Sequence, residues 1–351
     1  MNKRPPRNGE KLEIEKNTLL VDGNALFKTG YFGAKNQYNH EGVHVGGLYS
    51  FLTILRKLLT EDLYHRVYVF WDGNFSGKLR YEIYEAYKSG RGKDYINGTQ
   101  PIDESELLQR RMVWDYLNAL NIRQLKDEVI ESDDFIAYYC LNKEPNEKIT
   151  ICSSDRDFNQ LISEKIRIYF LDLKVYVDNV NFSSYFCYKQ ENSALMKIMT
   201  GDSSDSIKGI KGLQETGLVK FFPELKERKV TLDEIINGAK AQQKERIENK
   251  KKPIKVLDNI INSVTDGIQK EKIYDINYKL VSLLNPLITK DGIENLKELI
   301  EGTFDIEYDT KDAFDMMKRD GLDKILGDFR YPDFLIPFKK LIEREKRIIN
   351  G

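Results

Sequence analysis

The 351-residue chain carries 55 Lys+Arg against 56 Asp+Glu, for a formal net charge of −1, and 40% of its residues are hydrophobic. That is enough apolar material for about two domains at roughly 150 residues each. No stretch approaches 18 consecutive apolar residues, which excludes a transmembrane helix. The N-terminal MNKRPPRNGEKLEIEKN lacks the apolar segment of a secretory signal, and Cys140, Cys152 and Cys187 form no CxxC pair. A protein of a reducing cytoplasm, without structural zinc, is expected.

Short apolar runs at Thr18–Val21, Val67–Trp71, Lys148–Cys152 and Ile166–Leu171 have the length of buried strands. Between the first two, Leu48, Phe51, Leu52, Leu55, Leu58 and Leu59 recur at helical spacing. Leu107, Leu108, Met112, Trp114, Tyr116, Leu117 and Leu120 do so after the second run. Strands alternating with helices predict an α/β fold with a mostly parallel sheet flanked by helices. Residues 75–101, rich in Tyr, Lys, Arg and Gly, break that rhythm as a long excursion between two sheet elements.

Beyond about residue 200 the strand signals fade, and a helical C-terminal region is expected. A Lys- and Glu-dense stretch, Leu225–Val256, ends in Lys250, Lys251 and Lys252. It reads as a solvated helix or flexible connector. Amphipathic patterns resume at Ile273–Leu287, Ile293–Ile300 and Phe334–Ile349. The division expected is 1–200 for the α/β core, including the excursion, and 201–351 for the helical region.

The acids carry most of the functional information. Asp22 ends the first run, Asp72 the second, and Asp155 and Asp157 follow the third. In a parallel sheet these side chains converge at one edge, where ligands bind. Glu131, Asp133 and Asp134 open a helix in ESDDFIAYYCL, and Asp202 and Asp205 lie three apart in TGDSSDSIKG. Singly, each is an ordinary turn or N-cap residue. Nine carboxylates together repel one another unless a cation joins them, and hard oxygen donors suit Mg²⁺ or Mn²⁺. Setting these nine aside leaves 47 acids against 55 bases. A basic binding surface around an acidic pocket is therefore compatible with the neutral total.

The motifs LLVDGN, FWDG, ESDD, SSDRDFNQL and GDSSDSIKGIKG, in that order over residues 18–217, resemble those of the FEN-like 5′-nucleases. That family includes flap endonucleases, the 5′-nuclease domain of bacterial DNA polymerase I and phage homologues. YKSGRGK at 87–93 and the extended helical C-terminal third resemble the T-even phage ribonuclease H branch. The resemblance implies a PIN/FEN-like nuclease core and a two-Mg²⁺ site, with Mn²⁺ as a substitute. It implies 5′→3′ exonuclease and flap endonuclease activity, with removal of RNA primers during phage replication. Asp22, Asp72, Glu131, Asp134 and Asp155 would serve the first ion, with Asp133 beside them, and Asp157, Asp202 and Asp205 the second.

It also implies that Lys88 and Arg91 contact the scissile phosphate from a helical arch at 75–101, with Arg80 as a further DNA contact. Gly209 and Gly212 would approach duplex phosphates within a helix–three-turn–helix. That motif holds K⁺ in the family, but Gln214 and Glu215 depart from its usual small or basic residues. Implied partners are DNA with single-strand/duplex junctions, RNA–DNA hybrid and a single-stranded-DNA-binding protein, in the host cytoplasm if the source is a phage. The rivals are a PIN-type endoribonuclease and a catalytically inactive DNA-structure-binding scaffold. The excursion and GDSSDSIKG speak against the first, and the full set of acids against the second.

Overall fold

The computed structural model describes residues 16–91, 103–265, 273–302, 310–327 and 333–349. Its centre is a six-stranded sheet built from β1 (Asn17–Asp22), β2 (Arg66–Asp72), β3 (Arg123–Asp127), β4 (Lys148–Ser153), β5 (Ile166–Phe170) and β6 (Val175–Val177). The strand order is β3-β2-β1-β4-β5-β6, parallel throughout except for β6. The central strands are apolar on both faces because helices cover both. Alternation along β1 sends Leu19 and Val21 into one hydrophobic cluster and Leu20 into the other.

Of the six strands, β1, β2, β4 and β5 coincide with the predicted apolar runs. The sequence RQLKD of β3 has no such run, because an edge strand is half-solvated and needs no apolar stripe. Its register against β2 brings Asp127 beside Asp72.

Helices α1 (Gly23–Gly33), α2 (Gly46–Glu61), α3 (Lys78–Ile83), α4 (Glu104–Ala119), α5 (Ser132–Leu141) and α6 (Ser193–Thr200) complete the first part of the chain. A two-stranded hairpin, β7 (Gly201–Asp202) with β8 (Ile207–Lys208), follows. Next come α7 (Glu215–Phe221), α8 (Leu232–Glu248), α9 (Lys255–Ile261), α10 (Ile273–Val281), α11 (Lys290–Glu301), α12 (Lys311–Arg319), α13 (Leu322–Leu326) and α14 (Ile336–Ile349). The Lys/Glu-dense stretch is the ordered helix α8, started by a capping box in which Thr231 and Glu234 satisfy each other's backbone N–H.

Packing continues across residue 200. Ile207, Leu218, Leu257, Leu280 and Leu296 join the cluster containing Leu20 and Phe135. On the opposite face Met317, Phe334, Phe338 and Leu341 join Leu19, Phe51 and Trp71. The last helix is fastened there by Arg344, whose Nε donates to the Tyr64 carbonyl at 2.6 Å, and by an Arg123–Glu345 ion pair of 2.7 Å. The helical third thus covers both faces of the sheet.

Candidate nuclease site

Strand order reverses between β1 and β4, and at such a point the carboxyl ends of neighbouring strands open a crevice. Asp22 closes β1 there and caps α1, accepting from the Ala25 N–H at 3.0 Å. Its other oxygen accepts from Ser153 Oγ, at the end of β4, at 2.9 Å. The same Ser153 Oγ accepts from the Asp155 N–H at 3.0 Å, so one hydroxyl ties Asp22 to the turn carrying Asp155. Burial, reinforced by the charges of Asp72 and Asp155 and opposed by the two hydrogen bonds, pushes Asp22 up to about 6.

Asp155 caps the 3-10 turn Arg156–Leu161 by accepting from the Asp157 N–H at 2.8 Å. Lys197 of α6 reaches into this turn, 2.7 Å from Asp157 and 2.5 Å from Asp202. Burial and the neighbouring Asp155 nevertheless push Asp157 up to about 7. Asp202 also feels burial, but Lys197 and two hydrogen bonds from Ser204 outweigh it and hold the carboxyl at about 2.

The second group of acids is held differently. Glu131 sits at the N-cap of α5, and Asp133 and Asp134 lie in its first turn. Asp72 accepts from the Ser132 N–H at 2.8 Å, docking this helix end on β2. Arg80 of α3, only 3% exposed, directs its guanidinium at all three acids. It lies 2.6 Å from Glu131, 2.5 Å from Asp134 and 3.8 Å from Asp133. Its Nε donates to the Leu280 carbonyl at 2.8 Å, while the Leu287 N–H donates to Asp134 at 2.8 Å. Burial opposes the charge on Arg80, but the three acids raise its pKa well above the ordinary value.

Lys88 ion-pairs with Glu131, which also accepts from the Tyr87 hydroxyl at 3.0 Å. The Lys88 backbone adopts φ 54° and donates its N–H to the Asp205 carbonyl at 2.8 Å, which joins the excursion to the GDSSD loop.

Several sequence expectations land in unexpected surroundings. Arg80, expected on the DNA surface, is enclosed, because three carboxylates converging at one helix start outbid solvent for its five donors. Lys88 is 9% exposed and faces Glu131. Arg91 ends the short turn Ser89–Arg91; its side chain, and arch residues 92–101, lie outside the described residues. Gly209 does require a close backbone approach, but to its own chain: a Cβ there would meet the Thr200 carbonyl oxygen at 2.1 Å. Gly212 supplies a left-handed turn at φ 77°.

Sequence reasoning passed over Lys197, Ser153 and Tyr87. Lys197 carried a usable signal, as the one charge inside the apolar stretch SALMKIM just before Asp202.

The donor set fits a hard divalent cation. Glu131, Asp133 and Asp134 each offer an oxygen within 4.8 Å of the others. Asp133 Oδ1 is shut off from solvent with no hydrogen-bond partner among the described residues. Around the strand ends, Asp157 and Asp202 share Lys197, while Asp22 and Asp155 have no ion-pair partner among the described residues.

A family model described as 5′-3′ exonuclease, N-terminal resolvase-like domain, matches residues 17–192. The thermostable DNA polymerase I of Thermus caldophilus is 30% identical over 207 residues, covering 59% of this chain and 24% of that protein. DNA polymerase I of Deinococcus radiodurans is 25% identical over 310 residues, 86% of this chain and 31% of its own length. The chain thus spans 24% to 31% of the length of these curated relatives. Among solved structures, T5 5′-exonuclease with divalent zinc bound aligns with a TM-score of 0.62 at 18% identity, over 82% of this chain and 99% of that one. The bacteriophage T5 flap endonuclease in a pseudo-enzyme-product complex with DNA and metal ions aligns at 0.57 and 17% identity, over 93% and 100%. At these identities the likeness establishes the fold.

Proposed function

The chain belongs to the 5′-3′ exonuclease family, the FEN-like 5′-nucleases, and on that premise we propose that it is a divalent-metal-dependent 5′→3′ exonuclease and flap endonuclease. The observation that carries this reading is the crevice between β1 and β4, where Ser153 ties Asp22 to the Asp155 turn and the Lys197 ammonium bridges Asp157 and Asp202. Two Mg²⁺ ions, when bound, would supply a hydroxide at neutral pH and stabilise the leaving oxygen of a phosphodiester.

The chain's own residues prepare that chemistry. Ser153 fixes Asp22 and the Asp155 turn at one spacing. Arg80 locks Glu131 and Asp134 in place, so those carboxylates need no reorganisation when substrate arrives. Lys88, on a backbone held by the Asp205 carbonyl, would exchange Glu131 for an oxygen of the scissile phosphate and polarise it.

The substrate would be a 5′ end at a single-strand/duplex junction of DNA or RNA–DNA hybrid, with RNA primer removal in phage replication as its use. A single-stranded-DNA-binding protein would be its partner, and the cytoplasm its place of action. No helix among the described residues is long and apolar enough to cross a membrane.

A 5′-labelled flapped duplex tests the reading. Cleavage near the junction in Mg²⁺ and none in EDTA is expected, and undiminished cleavage in EDTA would end it.

A further inference from the structure

The lysines at 250–252 lie in no part of the site described above, yet the structure spends much hydrogen bonding on their backbone. α8 ends at Glu248, and Lys250 takes a left-handed φ of 54°. The Lys251 N–H then donates to the Arg246 carbonyl at 2.7 Å, and Arg246 Nε donates to the Lys252 carbonyl at 2.9 Å. Buried Gln243 closes the loop by gripping both sides of the Ile254 peptide: its amide donates to the Ile254 carbonyl and its oxygen accepts from the Ile254 N–H, each at 3.0 Å. Segments whose backbone groups are paired in this way are held in place rather than left to solvent. The side chains of Lys250, Lys251, Lys252 and Lys255 are all exposed, with no ion pair among the described residues. Of the nearby acids, Glu248 pairs with Lys244 and Asp258 accepts from Gln243.

The loop also has a fixed neighbour. α9, which follows it directly, is bonded to the glycine turn after β8. Asn259 Nδ2 donates to the Lys211 carbonyl at 2.8 Å, the Lys211 N–H donates to the Val264 carbonyl at 2.9 Å, and Thr265 Oγ1 donates to the Gly209 carbonyl at 2.8 Å. The helix that leaves the lysine loop is thereby fixed against the turn that leads back to Asp202 and Asp205.

We propose that Lys250, Lys251 and Lys252 form a preorganised phosphate-binding loop for the duplex arm of the substrate, extending the nucleic-acid track away from the carboxylates. This rests on the nuclease reading and deepens it, because it assigns duplex DNA to a part of the chain remote from the chemistry. Lysines act on a phosphate backbone as sequence-independent point charges, and each neutralised phosphate adds about 0.9 to the slope of log K against log salt.

The test is fluorescence anisotropy of a labelled 5′-flapped DNA duplex in EDTA, across a NaCl series, with the full-length chain. K250Q/K251Q/K252Q should lower the salt slope by about 2–3 and weaken binding at about 0.1 M salt by roughly tenfold or more. Its single-turnover cleavage rate at saturating enzyme in Mg²⁺ should be unchanged. K324Q/K339Q/K340Q removes the same charge from exposed positions in α13 and α14, and should leave the slope nearly as in the wild type. If both triple variants lose slope equally, or neither does, the loop is only a solvated charge and the proposal is overturned. A wild-type chain that neither binds nor cleaves the flapped duplex overturns the nuclease reading as well, and is told apart by that control alone.

Discussion

The two groups of acids at the sheet edge are neutralised in different ways. Around the start of α5, Glu131, Asp133 and Asp134 receive a buried guanidinium and an ammonium from the protein, and the backbone around 280–287 adds hydrogen bonds. Around the ends of β1 and β4, Lys197 serves Asp157 and Asp202 alone, and burial leaves Asp22 at about 6 and Asp157 at about 7. The first group is preorganised by protein cations. The second has one protein ammonium for its four acids. Burial raises Asp133 well above and Asp134 above the ordinary carboxylate value as well, so an external cation would favour ionised carboxylates in both groups. The difference lies in how many protein cations reach each group: two at the start of α5, Arg80 and Lys88, and one at the strand ends, Lys197.

The largest expected effect comes from the strand-end group. Asp155→Asn should lower single-turnover cleavage at saturating enzyme by at least about a thousandfold, since metal stabilisation of developing charge contributes several kcal/mol. Duplex binding in EDTA should be nearly unchanged. A rate within tenfold of wild type would reduce Asp155 to a turn cap.

The α5 group should answer in stability first. Arg80→Ala leaves buried carboxylates without their guanidinium, and urea unfolding in EDTA should show a loss of about 3–5 kcal/mol. A loss below about 1 kcal/mol would mean that the acids relax or protonate without consequence, and the contrast between the two groups would fail.

Lys88 stands between the groups. Lys88→Ala should reduce the saturated rate by about a hundredfold with a much smaller change in dissociation constant. Weaker binding with an unchanged rate would assign it to general attraction.

The smallest effect is a pH dependence. Asp22 and Asp157 have folded values of about 6 and about 7 against 3.8 in the absence of the fold. Over that interval the folded chain binds more protons than the unfolded one, so stability in EDTA should fall as pH rises from about 4 to 7. Asp202, held at about 2, acts in the opposite sense, but below that interval. Saturating Mg²⁺ should flatten the decline. An identical decline with Mg²⁺ would show that the ion does not meet these carboxylates.

How much of this was legible beforehand depends on the range of each interaction. The runs behind β1, β2, β4 and β5 are apolar because both faces of those strands are covered, so composition alone marks them, and an acid ending such a run points to the crevice. Edge strand β3 carries no comparable mark. The surroundings of Arg80 were illegible for a different reason: its partners lie 51 residues away at Glu131 and 200 away at Leu280, a distance over which local pattern says nothing. Lys88 shares that limit, since its residue type points to phosphate while its place in the folded chain is set by Glu131 and Asp205. The lysine cluster at 250–252 reads as a flexible connector until Gln243 is seen gripping the Ile254 peptide.

Anomalous diffraction from crystals grown with Mn²⁺, at a concentration that supports cleavage, addresses the division of charge most directly. Strong peaks are expected within coordination distance of Asp155 and of the Asp157–Asp202 pair, with Arg80 still seated on Glu131 and Asp134. An acidic edge with no Mn²⁺ peak, or an ion that displaces Arg80 while leaving Asp22, Asp155, Asp157 and Asp202 uncoordinated, would contradict it.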